Sequence, residues 1–279
     1  MKYHLLLTLF FAGLLVGCKE PAEPVIPEPP QELVISPEVS IKWADLAIST
    51  LKESPENSPT YASRALGYIG LTMYESVAKG SIIYQSITNG LNGLGQTPQP
   101  DSLEQMDWEV ALNAGQKEII SLLYPHAMSD VSDQWQTLYE EILASKIADS
   151  VTQEVISNSD LYGKLIARQI FEWSKLDKGH EGYKITFDRD YTYPRGLGFW
   201  SPPSFGQSSV AAPMHPYWGE NRTFIKANEE REIPEFITYN ADTSGAYFKE
   251  MKQVYDINKN LTQEQKETAL WWGDDPSGS

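Results

Sequence analysis

The chain reads as an all-α protein, a helical bundle interrupted by a long irregular connection rich in aromatics and proline. Three observations predict this. Apolar residues recur every three to four positions in several long stretches, the period of a helix face. Capping patterns stand before those stretches. No run of alternating polar and apolar residues is long enough to build a sheet.

The first helix begins at Ser36-Pro37-Glu38, which supplies a cap, a first-turn proline and a first-turn acid, and it runs to about Glu53. Residues 60–79 carry Tyr61, Ala65, Leu66, Tyr68, Ile69, Leu71, Met73 and Val77. They are apolar nearly all round, as in a helix central to a bundle. Residues 90–101 hold glycines and prolines and read as a loop. Ser102 with Gln105 forms a capping box for the next helix, whose face is Trp108, Ala111, Leu112, Gly115, Ile119 and Leu122. Val131, Trp135, Leu138, Ile142 and Asp149 step through a further helix that weakens toward its end. Leu161, Leu165, Ile166, Ile170 and Trp173 define another.

From about Asp177 to Asp242 the periodicity fails. Tyr191, Tyr193, Phe199, Trp200, Tyr217, Trp218 and several prolines fill the segment. Disordered chain is poor in aromatics, so we read an ordered connection lying over the bundle. Helices resume at about 244–258 and 262–272, the second behind a Thr262/Gln265 capping box.

Ahead of the bundle, Lys2 and the apolar run Leu5–Val16 form a leader too short to span a membrane. Leu15-Val16-Gly17-Cys18 has the pattern of a bacterial lipobox, in which the leader is cut before a lipidated cysteine. Cys18 is the single cysteine, so no internal disulfide can form. The expected organisation is therefore a signal peptide at 1–17, a tether at 18–37 and a helical domain at 38–279. The tether alternates prolines with Glu20, Glu23, Glu28 and Glu32, a composition that favours extended geometry. The expected location is the bacterial cell envelope, with Lys19-Glu20 after the cysteine pointing to the outer membrane rather than retention at the inner one.

The net charge is −16, and loss of the leader removes Lys2 and takes it to −17. Lys and Arg do not cluster. Such a field repels a polyanion and argues against nucleic-acid binding. The usual chemical motifs are absent. There is no phosphate-binding Gly-x-x-x-x-Gly-Lys loop and no Gly-x-Ser-x-Gly elbow. The four histidines, His4, His126, His180 and His215, are too far apart to form a spaced zinc motif. His4 falls in the leader, His126 reads as a helix-end residue and His180 as a loop residue. His215 lies among aromatics and could face a pocket.

Three segments, in this order, resemble the vanadium-dependent haloperoxidases and their type 2 phosphatidic acid phosphatase relatives. The first is Arg64-Ala-Leu-Gly-Tyr-Ile-Gly-Leu-Thr-Met-Tyr-Glu75, with Glu75 where Asp is commoner. The second is Trp200-Ser-Pro-Pro with Pro216-Tyr-Trp-Gly219 and Arg222-Thr-Phe224. The third is a helix ending in Trp272-Gly-Asp-Asp275.

The resemblance implies the amino-terminal helical half of such a protein, with vanadate as the cofactor of a full-length peroxidase. In that family the oxyanion is held by a Lys-x6-Arg-Pro motif, a Ser-Gly-His segment and a later Arg with a His. None occurs in this chain, so no catalytic residue, metal or cofactor is assigned within it, and the isolated chain is expected to be inactive. Pro276-Ser-Gly-Ser279 lacks the histidine and a following arginine. The resemblance makes Asp275 the candidate buttress for an anion-binding arginine, with Asp274 the alternative one register away. The expected partners are the membrane, through the lipid, and a missing carboxyl-terminal half. A reading of another class stays open: a non-catalytic helical envelope lipoprotein that binds a partner or glycan through its aromatic segment.

Overall fold

A computed structural model describes residues 35–55, 57–100, 105–202 and 212–273. Cys18, the tether, Ser102, Asp274 and Asp275 lie outside the described residues.

The described residues form seven α-helices and short 3-10 turns, without a sheet: α1 (Pro37–Glu53), α2 (Pro59–Ala78), α3 (Trp108–Leu123), α4 (Ser129–Ala148), α5 (Gln153–Ser174), α6 (Ala246–Lys259) and α7 (Gln263–Trp271). Helix starts follow their caps. Ser36 and Ser58 each accept a backbone N–H with proline in the first turn behind them, and Thr262 with Gln265 forms a reciprocal capping box. The start of α3 differs from the expected one. Its cap is Asp107, whose carboxylate accepts from the N–H groups of Glu109 and Val110. An ionised cap suits the positive end of a helix better than a hydroxyl, and Lys146 of α4 holds this carboxylate together with Glu109.

The first five helices form the bundle. The helix at its centre is α3 rather than α2: it packs against α1, α2, α4 and α5, and most of its residues are buried. The reason is size. Ala111, Ala114 and Gly115 let neighbouring backbones come close, whereas α2 leaves Leu66 exposed. The core joins Trp43, Ile69, Ile119, Ile120, Trp135, Ile166, Ile170 and Trp173 across these helices.

Buried polar atoms set the register between helices. Trp43 Nε1 donates to Asn113 Oδ1 at 2.8 Å, Asn113 donates on to the Tyr139 carbonyl, and Trp135 Nε1 donates to Thr50 Oγ1 at 2.8 Å. Glu75, fully buried, accepts from the Ile87 N–H and the Thr97 hydroxyl and so ties the loop after α2 to that helix. No described helix is long and apolar enough to cross a membrane.

The long connection divides into two kinds of chain. Residues 212–226, hereafter the strap, pack on the bundle through His215, Arg222 and Phe224. Phe187 and Leu91 make isolated antiparallel bridges to Met214 and Ile225. Residues 229–242, by contrast, are exposed throughout. The expected cover over the bundle is thus the strap together with the chain from Asp177 to Phe187, not the whole segment. Ile233, Pro234, Phe236 and Ile237 stand in solvent because no bundle helix presents a face to them. Likewise α6 and α7 have no buried residue.

Candidate functional site

The strap meets the bundle at a buried polar clamp. Arg64 and Tyr68 stand one turn apart on α2 and share a face. Gly67 between them leaves the room into which the Phe224 ring fits: a Cβ there would lie 2.8 Å from Phe224 Cε2. Just past the end of α5, Asp177 turns inward with its side chain fully buried. Arg64 Nε donates to Asp177 Oδ2, and the Tyr68 hydroxyl donates to the same oxygen at 2.6 Å. Burial first, and the Asp177 bond second, push the Tyr68 pKa up, so the phenol stays protonated and remains a donor.

Arg222 comes from the strap. Its guanidinium lies 3.7 Å from the Trp173 ring centroid and donates to the carbonyls of Asn92 and Trp173. Its own carbonyl accepts from Arg64 Nη2 at 2.6 Å. Two of the segments that carry the sequence resemblance, at Arg64 and at Arg222–Phe224, therefore converge in space. Sequence reasoning missed Asp177, the residue that joins them. A lone acid in Lys175-Leu-Asp-Lys-Gly179 gives no local signal, because its partner stands 113 residues earlier.

The other face of the strap borders a half-open cavity of about 350 Å³. His215 is buried in its wall, and its N–H donates to the Thr186 carbonyl at 2.8 Å. Its Nε2 is 3.0 Å from the hydroxyl of Ser58, the cap of α2. The ring packs 4.9 Å from that of Trp218. His215 has φ +46, the left-handed region, at a cost on the order of 1 kcal/mol that the strap contacts must offset. The sequence left His215 as a residue that could face a pocket, and in the structure it borders this cavity. His126 is exposed at the turn after α3. His180 is half-buried at the end of α5, with Nδ1 3.4 Å from Ser174 Oγ.

Burial pushes the His215 pKa below its ordinary value. A folded state that binds the proton less readily than the unfolded chain loses stability as pH falls through the unfolded value of about 6.5, and holds it above that. His180 is shifted the same way, burial again leading. The melting temperature is therefore expected to fall between pH 7.5 and 5. His215→Asn, whose residue tolerates the left-handed backbone, is expected to fall less over that range. Equal slopes for the two proteins in thermal melts would remove His215 as a contributor.

Arg64, Arg222, Lys178 and Lys184, the cations of the clamp and the neighbouring lysines, do not fit a vanadate or phosphate site. Arg64 is spent on Asp177 and a carbonyl, and Arg222 on a ring and two carbonyls. Lys184 and Lys178 are exposed and paired with Glu181 at 2.7 Å and Glu220 at 3.6 Å. A tetrahedral oxyanion needs several fixed cations not already neutralised. Asp274 and Asp275, the two buttress candidates, lie outside the described residues.

The architecture defined so far is a helical bundle strapped by an aromatic connection, and it has a solved counterpart. The chain is similar in structure to one described as the first bacterial vanadium-dependent iodoperoxidase, with TM-score 0.59 and 24% identity. The match covers 88% of this chain and 55% of that one, so the chain spans about half the length of that protein. At this identity the likeness establishes a shared fold. No protein-family model matches the chain, and no curated protein does.

Proposed function

We propose that this chain is the amino-terminal helical part of a lipid-anchored haloperoxidase- or phosphatase-like protein, whose oxyanion chemistry comes from residues outside it. One observation carries the reading: the apolar face of α6 and the apolar last turn of α7 have nothing to bury them against among the described residues. On α6, Phe248, Met251, Val254 and Tyr255 follow helical spacing and are 37%, 50%, 63% and 59% exposed. Trp271 and Trp272 at the end of α7 are 82% and 80% exposed. Helices of 14 and 9 residues are marginal in water without tertiary packing, and a contiguous apolar face of this kind marks an interaction surface. The match to only 55% of the iodoperoxidase chain supports an occupant of this kind, a further part of a longer protein. In this reading the turn after α7 leads into that half, and Asp275, or Asp274 one position away, orients an anion-binding arginine there.

The test is the DNA after codon 279. An in-frame continuation encoding Lys-x6-Arg-Pro and Ser-Gly-His is expected. A stop codon there, with a stable soluble product, would favour the non-catalytic envelope lipoprotein instead. The 279-residue chain alone is expected to show no vanadate-dependent oxidation of iodide or bromide, and no phosphomonoester hydrolysis, above a heat-killed control. Anchoring is tested separately. Mass spectrometry of membrane-extracted protein is expected to find an acylated peptide starting at Cys18, and an unmodified internal Cys18 would refute the anchor.

A further inference from the structure

We propose that the half-open cavity at His215 is a binding site for a small aromatic carboxylate. Its volume of about 350 Å³ lies at the lower end of the range for small-molecule sites, which suits one ring with one polar substituent. Phe187, Tyr217 and Trp218 supply aromatic surface on its wall. The strap holds two of them in place: the Trp218 backbone N–H donates to the His215 carbonyl at 2.9 Å, and the Tyr217 ring packs edge-on against Tyr191 at 5.3 Å. A ring entering here meets π surface, for which offset and edge-on packing is favourable.

The charge around the cavity decides what the ring carries. Lys178, Lys184 and Arg189 line it, and so does Asp188. Glu220 and Glu181 pair with the two lysines. Arg189 has no carboxylate partner among the described residues, and its planar fork matches a carboxylate in two-point contact. Taken together, the three bases Lys178, Lys184 and Arg189 balance the three acids Asp188, Glu181 and Glu220, so the site offers one two-point contact at Arg189 and no excess of positive charge for a phosphate dianion. His215 faces the same space with a neutral imidazole. Its Nε2 is engaged by Ser58, and among the described residues its Nδ1 makes no hydrogen bond, which leaves it a polar contact to offer. This site is independent of the oxyanion chemistry proposed above, because it is lined wholly by residues 178–218 of this chain.

Benzoate is the probe, titrated into the full 279-residue chain and followed by the tryptophan indole N–H signals in nitrogen-15 NMR. One indole signal is expected to move saturably with millimolar affinity, and Trp218→Phe identifies it by its disappearance. Arg189→Gln, at an exposed position that leaves the fold intact, is expected to weaken binding by roughly three- to tenfold. Inorganic phosphate at the same concentrations is expected to leave that signal still. The proposal is overturned if benzoate produces no saturable shift or moves only an indole other than Trp218. It is overturned equally if phosphate competes at comparable concentration, or if Arg189→Gln binds as the parent does.

Discussion

Asp177→Ala is expected to destabilise the chain by about 3–5 kcal/mol, the range for removing one partner of a buried ion pair. The Asp177 side chain is fully buried, and that of Arg64 is 13% exposed. A single carboxylate oxygen accepts from both Arg64 and Tyr68. Alanine would leave the Arg64 guanidinium without its counter-charge, with Arg222 close by, and the Tyr68 hydroxyl without its acceptor. The strap should loosen as well, since Arg64 also donates to the Arg222 carbonyl. Asp177→Asn keeps the shape and one acceptor, so its loss should be smaller. Urea unfolding followed by circular dichroism measures both. A change below about 1 kcal/mol for the alanine variant would mean that the clamp is a solvated contact.

Gly163→Ala is expected to cost about 3 kcal/mol or more, at or beyond the upper end for overpacking a core. The backbones of α3 and α5 touch where they cross. A Cβ on Gly163 would stand 2.0 Å from the Ala111 carbonyl oxygen and 2.9 Å from the Gly115 nitrogen. Neither atom belongs to a side chain that can rotate away, so the two helices must part and loosen Ile119, Ile166 and Ile170, all fully buried. Gly115→Ala should cost less, because the nearest atom to its Cβ is the Ser76 hydroxyl at 2.5 Å, which can turn. Gly70, in α2 with nothing within 4 Å of its Cβ, is the control. Alanine there should stabilise by about 0.5–1 kcal/mol through helix propensity alone. The order of the three unfolding midpoints is the measurement, and a Gly163→Ala protein as stable as the parent would show that the crossing is looser than described.

Legibility in the sequence varied with the range of the interaction involved. The caps Ser36 and Thr262 were readable because each acts within a few residues of itself. The cap of α3 was misplaced to Ser102, since Asp107 carries no glutamate or glutamine at the capping-box spacing and draws its support from Lys146 on another helix. The centre of the bundle was assigned to α2 by its apolar circumference. Small residues on α3 decided otherwise, because close approach depends on what is absent from a face as much as on hydrophobicity. Of the site residues, His215 was suspected from its aromatic neighbours and Asp177 was not suspected at all.

The sequence by itself determined the all-α class, the helix limits to within a few residues and the irregular stretch after α5. These follow from periodicity, capping and proline or glycine placement, which are local rules. Only the tertiary structure decided that Arg64, Asp177 and Arg222 meet, that His215 borders a cavity beside Ser58, and that the apolar face of α6 and the last turn of α7 find no partner among the described residues. Such contacts join positions up to 158 residues apart. They depend on how the helices stack, and a single chain read in order carries no record of that.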